Sequence, residues 1–157
     1  MFGKGGRTMD ENAVKNRLET VFPASSENES LARAVAAAFA AQADPTIEEL
    51  TEIRTAVSEA VSNAVIHAYP EGEGEVELKL CLYDDGVLTM TVEDHGVGIQ
   101  DVTLAREPLY TTGSMEERSG MGFTVMESFT DRLEVVSAPG KGTRVTMMKR
   151  LDLSYGR

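Results

Sequence analysis

The stretch Thr46–Tyr69, with the sequence TIEELTEIRTAVSEAVSNAVIHAY, carries the strongest structural pattern in the chain. Thr46 and Glu49 form a capping box, in which side chains and backbone N–H groups at the start of a helix satisfy one another. Apolar residues then recur every three or four positions, which predicts an amphipathic helix that runs to about Ala68. The apolar stripe comprises Ile47, Leu50, Ile53, Val57, Val61, Ala64, Val65 and Ala68.

A row of polar residues lies beside this stripe: Glu59, Asn63 and His67, each four positions from the next. Four residues advance a helix by about 400°, so the three side chains lie on one face, each shifted by about 40°. The amide oxygen of Asn63 is a hard ligand of the kind that Mg²⁺ prefers, and the Glu59 carboxylate can accept a proton. Taken alone, the row also fits a solvated helix face with a terminal His that the helix dipole favours. For so short a motif this simpler interpretation is the more common one.

The other elements follow from the same rules. Apolar and polar residues alternate over 76–83 and 88–92, and the Asp-Asp-Gly between them predicts a hairpin. We further predict a strand at 17–22, a helix at 27–43 opened by a capping box at Ser26 and Glu29, a short helix near 101–106, a helix at 122–129, and a hairpin of strands 133–137 and 143–151. This order predicts an α/β (α+β) two-layer sandwich, with a mainly antiparallel mixed sheet and helices on one face.

Length and composition bound the class of protein. A chain of 157 residues has room for one domain, which we place at 17–151, with a flexible N-terminal extension at 1–16 and a C-terminal tail at 152–157. The net charge of −11 disfavours a protein whose main task is to bind nucleic acid or an anionic membrane, and it suits a partner with a basic surface. A single cysteine, Cys81, excludes an internal disulfide. Without a long apolar run or an apolar leader, we expect a cytoplasmic protein.

Two glycine motifs flank a long connection at 95–119, and connections of this length in a compact domain are usually functional. The segment 94–98 (DHGVG) follows a predicted strand, where its Asp can accept hydrogen bonds from the amine of a base and its glycines allow close backbone approach. The segment 118–122 (RSGMG) precedes a predicted helix, whose first N–H groups can bind phosphate. Thr143 opens the last strand and can lie beside Asp94. Each motif alone also fits an ordinary turn or hinge.

In this order the motifs resemble the ATP-binding fold shared by DNA gyrase, a heat-shock chaperone, histidine kinases and the mismatch-repair ATPase. The resemblance covers about residues 17–151. Within that superfamily the chain is similar to the anti-sigma F factors of spore-forming bacteria, although about 13 residues at the N-terminus depart from the family pattern. The similar segments are 26–33 (SENESLAR), 46–69, 94–99 (DHGVGI), 108–112 (PLYTT) and 117–127 (ERSGMGFTVME).

The resemblance implies roles for individual residues. Glu59 would be the general base that takes the proton of a substrate serine, Asn63 would ligate Mg²⁺, and Asp94 would bind the adenine amine. Residues 101–119 would form a lid over the phosphates, where a basic side chain such as Arg106 or Arg118 would neutralise charge. The full set of residues implied in ATP or ADP binding is Asn63, Asp94, Gly96, Gly98, Thr111, Thr112, Arg118, Ser119, Gly120, Met121, Gly122 and Thr143.

The resemblance also implies a function and partners. Members of the family are serine kinases that hold a sporulation sigma factor inactive and phosphorylate an anti-anti-sigma protein. We expect a homodimer formed by the sheet edge near 17–22, because an unpaired strand can be satisfied by a two-fold partner. Arg33 is either a solvated charge or a partner contact, while His67 and His95 receive no chemical role. Three alternatives stay open: a general-stress anti-sigma kinase, a stand-alone histidine-kinase-type ATPase domain, and a nucleotide-gated binding module that transfers no phosphate.

Overall fold

The computed structural model of the chain describes residues 13–108 and 121–152. Its five strands are β1 (Val14–Pro23), β2 (Glu75–Tyr83), β3 (Val87–Asp94), β4 (Arg132–Ser137) and β5 (Thr143–Arg150). Its helices are α1 (Glu27–Ala40), α2 (Ile47–Asn63), α3 (Val102–Ala105) and α4 (Gly122–Phe129). A 3₁₀ turn, Ala41–Ala43, follows α1, and a π-helical turn, Ala64–Ala68, follows α2. No helix in these ranges combines the length and apolar character that a membrane crossing requires.

The strands form one sheet in the order β1-β2-β3-β5-β4, and every pairing between neighbours is antiparallel. The predicted two-layer sandwich is therefore confirmed, but its sheet is antiparallel throughout the described strands rather than mixed. The chain passes from β3 through α4 to β4, which runs parallel to β3. Because β5 lies between those two strands, no parallel pair is in direct contact.

The core lies between this sheet and the α1–α2 pair. Alternate residues of β2 face the helices, so Val76, Leu78, Leu80 and Leu82 are buried, as the period of two predicts. The apolar stripe of α2 is buried from Ile53 to Val61. Of the other members of the predicted stripe, Leu50 and Val65 are half-buried, whereas Ile47 is 85% exposed. It precedes Ile53 by six residues and so lies about 120° away from it around the helix.

One predicted capping box is confirmed, whereas the other capping box and the start of β1 differ from the structure. The capping box of α2 is present, since Thr46 Oγ1 accepts from Glu49 N–H at 3.0 Å and Glu49 Oε1 accepts from Thr46 N–H at 2.9 Å. The capping box predicted at Ser26 is wrong, because Ser26 already has a helical backbone conformation and its side chain makes no cap. Strand β1 begins at Val14 rather than at residue 17, inside the expected extension, because β2 is long enough to pair Tyr83 with Val14.

Candidate functional site

A cavity of about 610 Å³ opens between the C-terminal half of α2 and the end of the sheet where β3 stops and β5 starts. It offers two carboxylates, two side-chain amides, one imidazole, one hydroxyl and the first residues of a helix, within a mostly apolar wall. The residues that line it are Ala60, Asn63, Ala64, His67, Ala68, Val92, Asp94, Val97, Gly98, Ile99, Gln100, Asp101, Leu104, Ala105, Gly122, Phe123, Thr143 and Val145. An apolar pocket with a few convergent polar groups is typical of a small-molecule site.

Asp94 ends β3 and is the buried carboxylate of this cavity, with 7% of its surface exposed. Its Oδ1 accepts from Gly96 N–H at 2.9 Å. Burial raises the pKa of Asp94, and hydrogen bonds from the backbone N–H groups of Gly96 and Thr143 partly offset that increase. A carboxylate held in this way can accept a hydrogen bond from an amine in the cavity.

The turn that follows β3 rests on the end of the π-helical turn. Val97 N–H donates to Ala68 O at 2.8 Å. Gly96 lies so close to Ala68 that a Cβ would collide with the Ala68 carbonyl. Gly96 therefore allows close approach of the backbone to Ala68. The sequence had suggested close approach to a ligand, but Gly96 is not among the cavity-lining residues. Gly98 does line the cavity, and its φ of +80° favours glycine.

Tyr69 provides a second support for the same turn. Its hydroxyl accepts from His95 N–H at 2.8 Å and donates to Glu75 O at 2.7 Å. The π-helical turn before Tyr69 is a rare element that often marks functional sites. Together, the carbonyl of Ala68 and the hydroxyl of Tyr69 hold the residues directly after Asp94 against the C-terminal end of the π-helical turn.

The polar row predicted on α2 divides at the cavity. Asn63 and His67 line it, so His67, which received no role from the sequence, faces the site. Glu59 lies one helical turn before Asn63, is half-buried and does not line the cavity. Two residues of the predicted polar row, Asn63 and His67, therefore line the cavity, whereas the third, Glu59, lies next to it.

The start of helix α4 also contributes to the wall of the cavity. Gly122 and Phe123 line it, whereas Met121 occupies the N-cap position without a side-chain cap bond and is not a lining residue. The N–H groups of a first helical turn have no intrahelical acceptor, so they favour an anion. This arrangement suits a phosphate group next to Gly122.

Several predicted residues contribute differently or lie outside the described ranges. Arg106 forms an ion pair with Glu127 of α4, with 3.4 Å between Nη2 and Oε2. His95 is 64% exposed and 3.4 Å from the Glu77 carboxylate, so it points away from the cavity. The predicted residues outside the described ranges are Thr111, Thr112, Arg118, Ser119 and Gly120.

Arg33 is fixed on α1 beside the helix that carries Glu59. Its guanidinium donates to Ser58 Oγ and to Ser30 Oγ, each at 2.9 Å. The side chain is thus held in one position at a half-exposed surface, instead of being a fully solvated charge. Such ordering suits a contact residue, because less conformational entropy is lost on binding.

Sequence reasoning missed the apolar wall of the site. Val97, Ile99, Leu104 and Phe123 line the cavity, and each lies within or close to a glycine motif or the short helix that was found. The sign of this wall in the sequence was the presence of apolar residues next to the glycine motifs. Sequence reasoning also missed Ser137, whose hydroxyl contacts the hydroxyl of Thr143.

Comparisons with known proteins identify this architecture. The chain matches the family described as histidine kinase-like ATPase domain over residues 22–149. The solved histidine kinase domain of a blue-light activated histidine kinase from Erythrobacter litoralis aligns with a TM-score of 0.53 and 27% identity. The alignment covers 66% of this chain and 45% of that one, so the chain spans less than half of the solved chain. The protein is a nucleotide-binding domain of the histidine kinase-like ATPase class.

Relatives of higher identity narrow the assignment. The anti-sigma F factor of Caldanaerobacter subterraneus subsp. tengcongensis is 55% identical over 134 residues, which are 85% of this chain and 93% of that protein. The anti-sigma F factor of Bacillus subtilis is 51% identical over 142 residues, which are 90% of this chain and 97% of that protein. The chain belongs to the anti-sigma F factor family.

Proposed function

We propose that this protein is an anti-sigma factor and an ATP-dependent serine kinase of the cytoplasm. It binds and inhibits a sporulation sigma factor, sigma F, and phosphorylates a serine of an anti-anti-sigma protein. The observation that carries the proposal is the single cavity that brings together Asn63, Asp94, Gly122 and Thr143 in a member of this family. These four residues are far apart in the sequence, and the fold brings them to the same cavity.

Two groups of residues in the cavity wall suit the two ends of ATP. Asp94 is a buried acceptor for the amine of adenine, and Thr143 lies beside it as its register partner on β5. The first turn of α4, at Gly122, suits the phosphates. The apolar side chains between them would cover the faces of the base. ADP shares these features and is expected to occupy the same position.

Asn63 fits a Mg²⁺ ion that enters with the nucleotide. In nucleotide sites Mg²⁺ is commonly held by one or two protein oxygens together with phosphate oxygens and water. Asn63 supplies one such oxygen from the wall of the cavity. When bound, the ion would neutralise phosphate charge, while the protein's own contribution would be to position the nucleotide.

Glu59 is our candidate general base. It lies on the same helix as Asn63, one turn away and next to the cavity rather than inside it. A carboxylate in that position could accept the proton of an incoming serine hydroxyl while ATP occupies the cavity. The stand-alone histidine-kinase alternative has less support, because the 27% identity to a solved histidine kinase domain is well below the 55% identity to an anti-sigma F factor.

The partners follow from charge and from the sheet edge. Sigma factors bind DNA and have basic surfaces, so a chain with a net charge of −11 can bind one with complementary charge. We propose Arg33 as a partner contact because its side chain is held in place next to Ser58. Strand β1 pairs only with β2 among the described strands, and its other edge could pair with a second copy to form a homodimer.

A displacement assay tests this proposal. We expect the protein to bind sigma F in the presence of ATP, and the anti-anti-sigma protein to displace it. A serine-to-alanine form of the anti-anti-sigma protein should displace sigma F, whereas a serine-to-aspartate form should not, because added negative charge is repelled by an acidic surface. Equal displacement by both forms would contradict the proposed switch. Light scattering with nucleotide present tests the proposed homodimer. A monomeric mass at micromolar concentration would exclude it.

A further inference from the structure

Ser137, the last residue of β4, lies behind the wall of the cavity. It is half-buried and is not a lining residue, but its hydroxyl oxygen contacts three groups that belong to that wall or its turn. Ile99 N–H donates to Ser137 Oγ at 2.8 Å, and Ser137 Oγ is also 2.8 Å from Gly142 O and 2.8 Å from Thr143 Oγ1. One small hydroxyl thus joins the loop after β3 to the start of β5.

The hydrogens in this cluster can be assigned. A carbonyl oxygen cannot donate, so the contact with Gly142 O uses the only hydroxyl hydrogen of Ser137. Ile99 supplies its own hydrogen. The contact between Ser137 and Thr143 therefore needs the hydroxyl hydrogen of Thr143. With that hydrogen directed at Ser137, Thr143 can present only lone pairs to the cavity.

We propose that Ser137 is a positioning residue that sets base specificity by fixing the hydroxyl of Thr143 as a hydrogen-bond acceptor towards the nucleotide. The inference rests on the proposed ATP site and goes beyond it. Asp94 and Thr143 are register partners and both line the cavity, so this part of the wall offers two acceptors side by side.

The chemistry of purines explains why two acceptors matter. The exocyclic amine at position 6 of adenine carries two N–H hydrogens, which acceptors can use directly or through a water. A 6-oxo purine, such as hypoxanthine or guanine, presents lone pairs at the same place. If Thr143 could rotate its hydroxyl, it could donate to that oxygen and the site would tolerate the wrong base. Buried groups that cannot be paired are the strongest source of such discrimination.

The test measures the dissociation constants of ATP and of inosine triphosphate, which differ at position 6 of the purine, for four forms of the full chain. The forms are wild type, Ser137→Ala, Thr143→Val and the double variant. We expect Ser137→Ala to lower the preference for ATP over inosine triphosphate by about three- to tenfold, the worth of one hydrogen bond. In the Thr143→Val background, Ser137→Ala should leave the preference unchanged, because its effect passes through the Thr143 hydroxyl.

Two controls separate specificity from simple loss of structure. Ser128→Ala removes another serine hydroxyl that donates to a carbonyl, that of Thr124, and should leave the preference at the wild-type value. Ser137→Thr keeps the hydroxyl and should restore the preference that Ser137→Ala loses. Thermal unfolding of each variant checks that it is folded.

The outcomes are distinct. If Ser137→Ala weakens both nucleotides by the same factor, Ser137 only supports the fold and the inference is overturned, while the proposed ATP site stands. The inference would also be overturned if Ser137→Ala changed the preference for ATP equally in the wild-type and Thr143→Val backgrounds. If the wild-type protein binds neither nucleotide, the proposed function fails and this inference fails with it.

Discussion

Asp94 and Thr143 lie opposite each other on the neighbouring strands β3 and β5, and both residues line the same cavity. The backbone N–H of Thr143 also helps to lower the pKa of Asp94 against the effect of burial. The antiparallel register of these two strands therefore builds the polar end of the site. A change of register by one residue would move one of the two side chains to the other face of the sheet.

Asp94→Asn should weaken ATP binding by about ten- to hundredfold, because a hydrogen bond to a charged acceptor is lost. The same variant should stabilise the nucleotide-free fold at neutral pH. Burial raises the pKa of Asp94 above its ordinary value of 3.8, so its contribution to stability is present in full below pH 3.8 and is lost as the pH rises through the higher folded value. The stability gain of the variant should therefore shrink as the pH falls towards that window.

Calorimetric titration with ATP at neutral pH and thermal unfolding from pH 8 down to about pH 4, close to the ordinary Asp pKa, measure both effects. Asp84→Asn is the matched control, since it removes one negative charge from an exposed turn far along the sheet. If the stability gain of Asp94→Asn does not depend on pH, or if Asp84→Asn gives the same gain, burial of the Asp94 carboxylate is not the cause of the gain.

Glu59→Gln should lower the rate of phosphate transfer by about 10²- to 10⁴-fold and leave ATP affinity nearly unchanged, because a positioned base is lost while the residue does not line the cavity. The control is Glu48→Gln, at an exposed position in the first turn of the same helix. Transfer at the wild-type rate by Glu59→Gln would remove it as the base.

Asn63→Ala should reduce the effect of Mg²⁺ on ATP affinity, because a hard oxygen is removed from the cavity wall. Titrations with and without Mg²⁺ measure this difference directly. Thermal unfolding should change little, since Asn63 is only half-buried. An unchanged response to Mg²⁺ would take Asn63 off the list of ligands.

Gly96→Ala should destabilise the protein by about 1–3 kcal/mol or more, because the added Cβ meets the backbone carbonyl of Ala68. It should also weaken ATP binding, since the turn after Asp94 would have to move. Gly72→Ala is the control, because a Cβ there has no neighbour within 4 Å. Equal unfolding midpoints for the two variants would contradict the close packing described at Ala68.

Periodicity predicted the main helices and strands because it reflects burial on one face, as in α2 and β2. Local rules were less certain: the same capping-box pattern forms at Thr46 but not at Ser26, where the backbone is already helical. No pattern in the sequence predicts the π-helical turn, which depends on how the end of α2 packs on the turn after β3.

The site was only partly accessible to sequence reasoning. Asn63, Asp94, Gly98, Gly122 and Thr143 were found and are brought together. Tyr69 and Ser137 were missed, because they act through contacts with residues distant in sequence. Ser137 did leave a sign, since it is a polar residue on the strand face shared with Leu133 and Val135, where an apolar residue is expected.

The most direct test of the central claim is to incubate the protein with labelled ATP, Mg²⁺ and the anti-anti-sigma protein, and to identify the phosphorylated residue by mass spectrometry. We expect phosphoserine on the anti-anti-sigma protein, formed by the wild type and lost in Glu59→Gln. Phosphohistidine on any component, or ATP binding with no transfer at all, would contradict the assignment of this chain as an anti-sigma serine kinase.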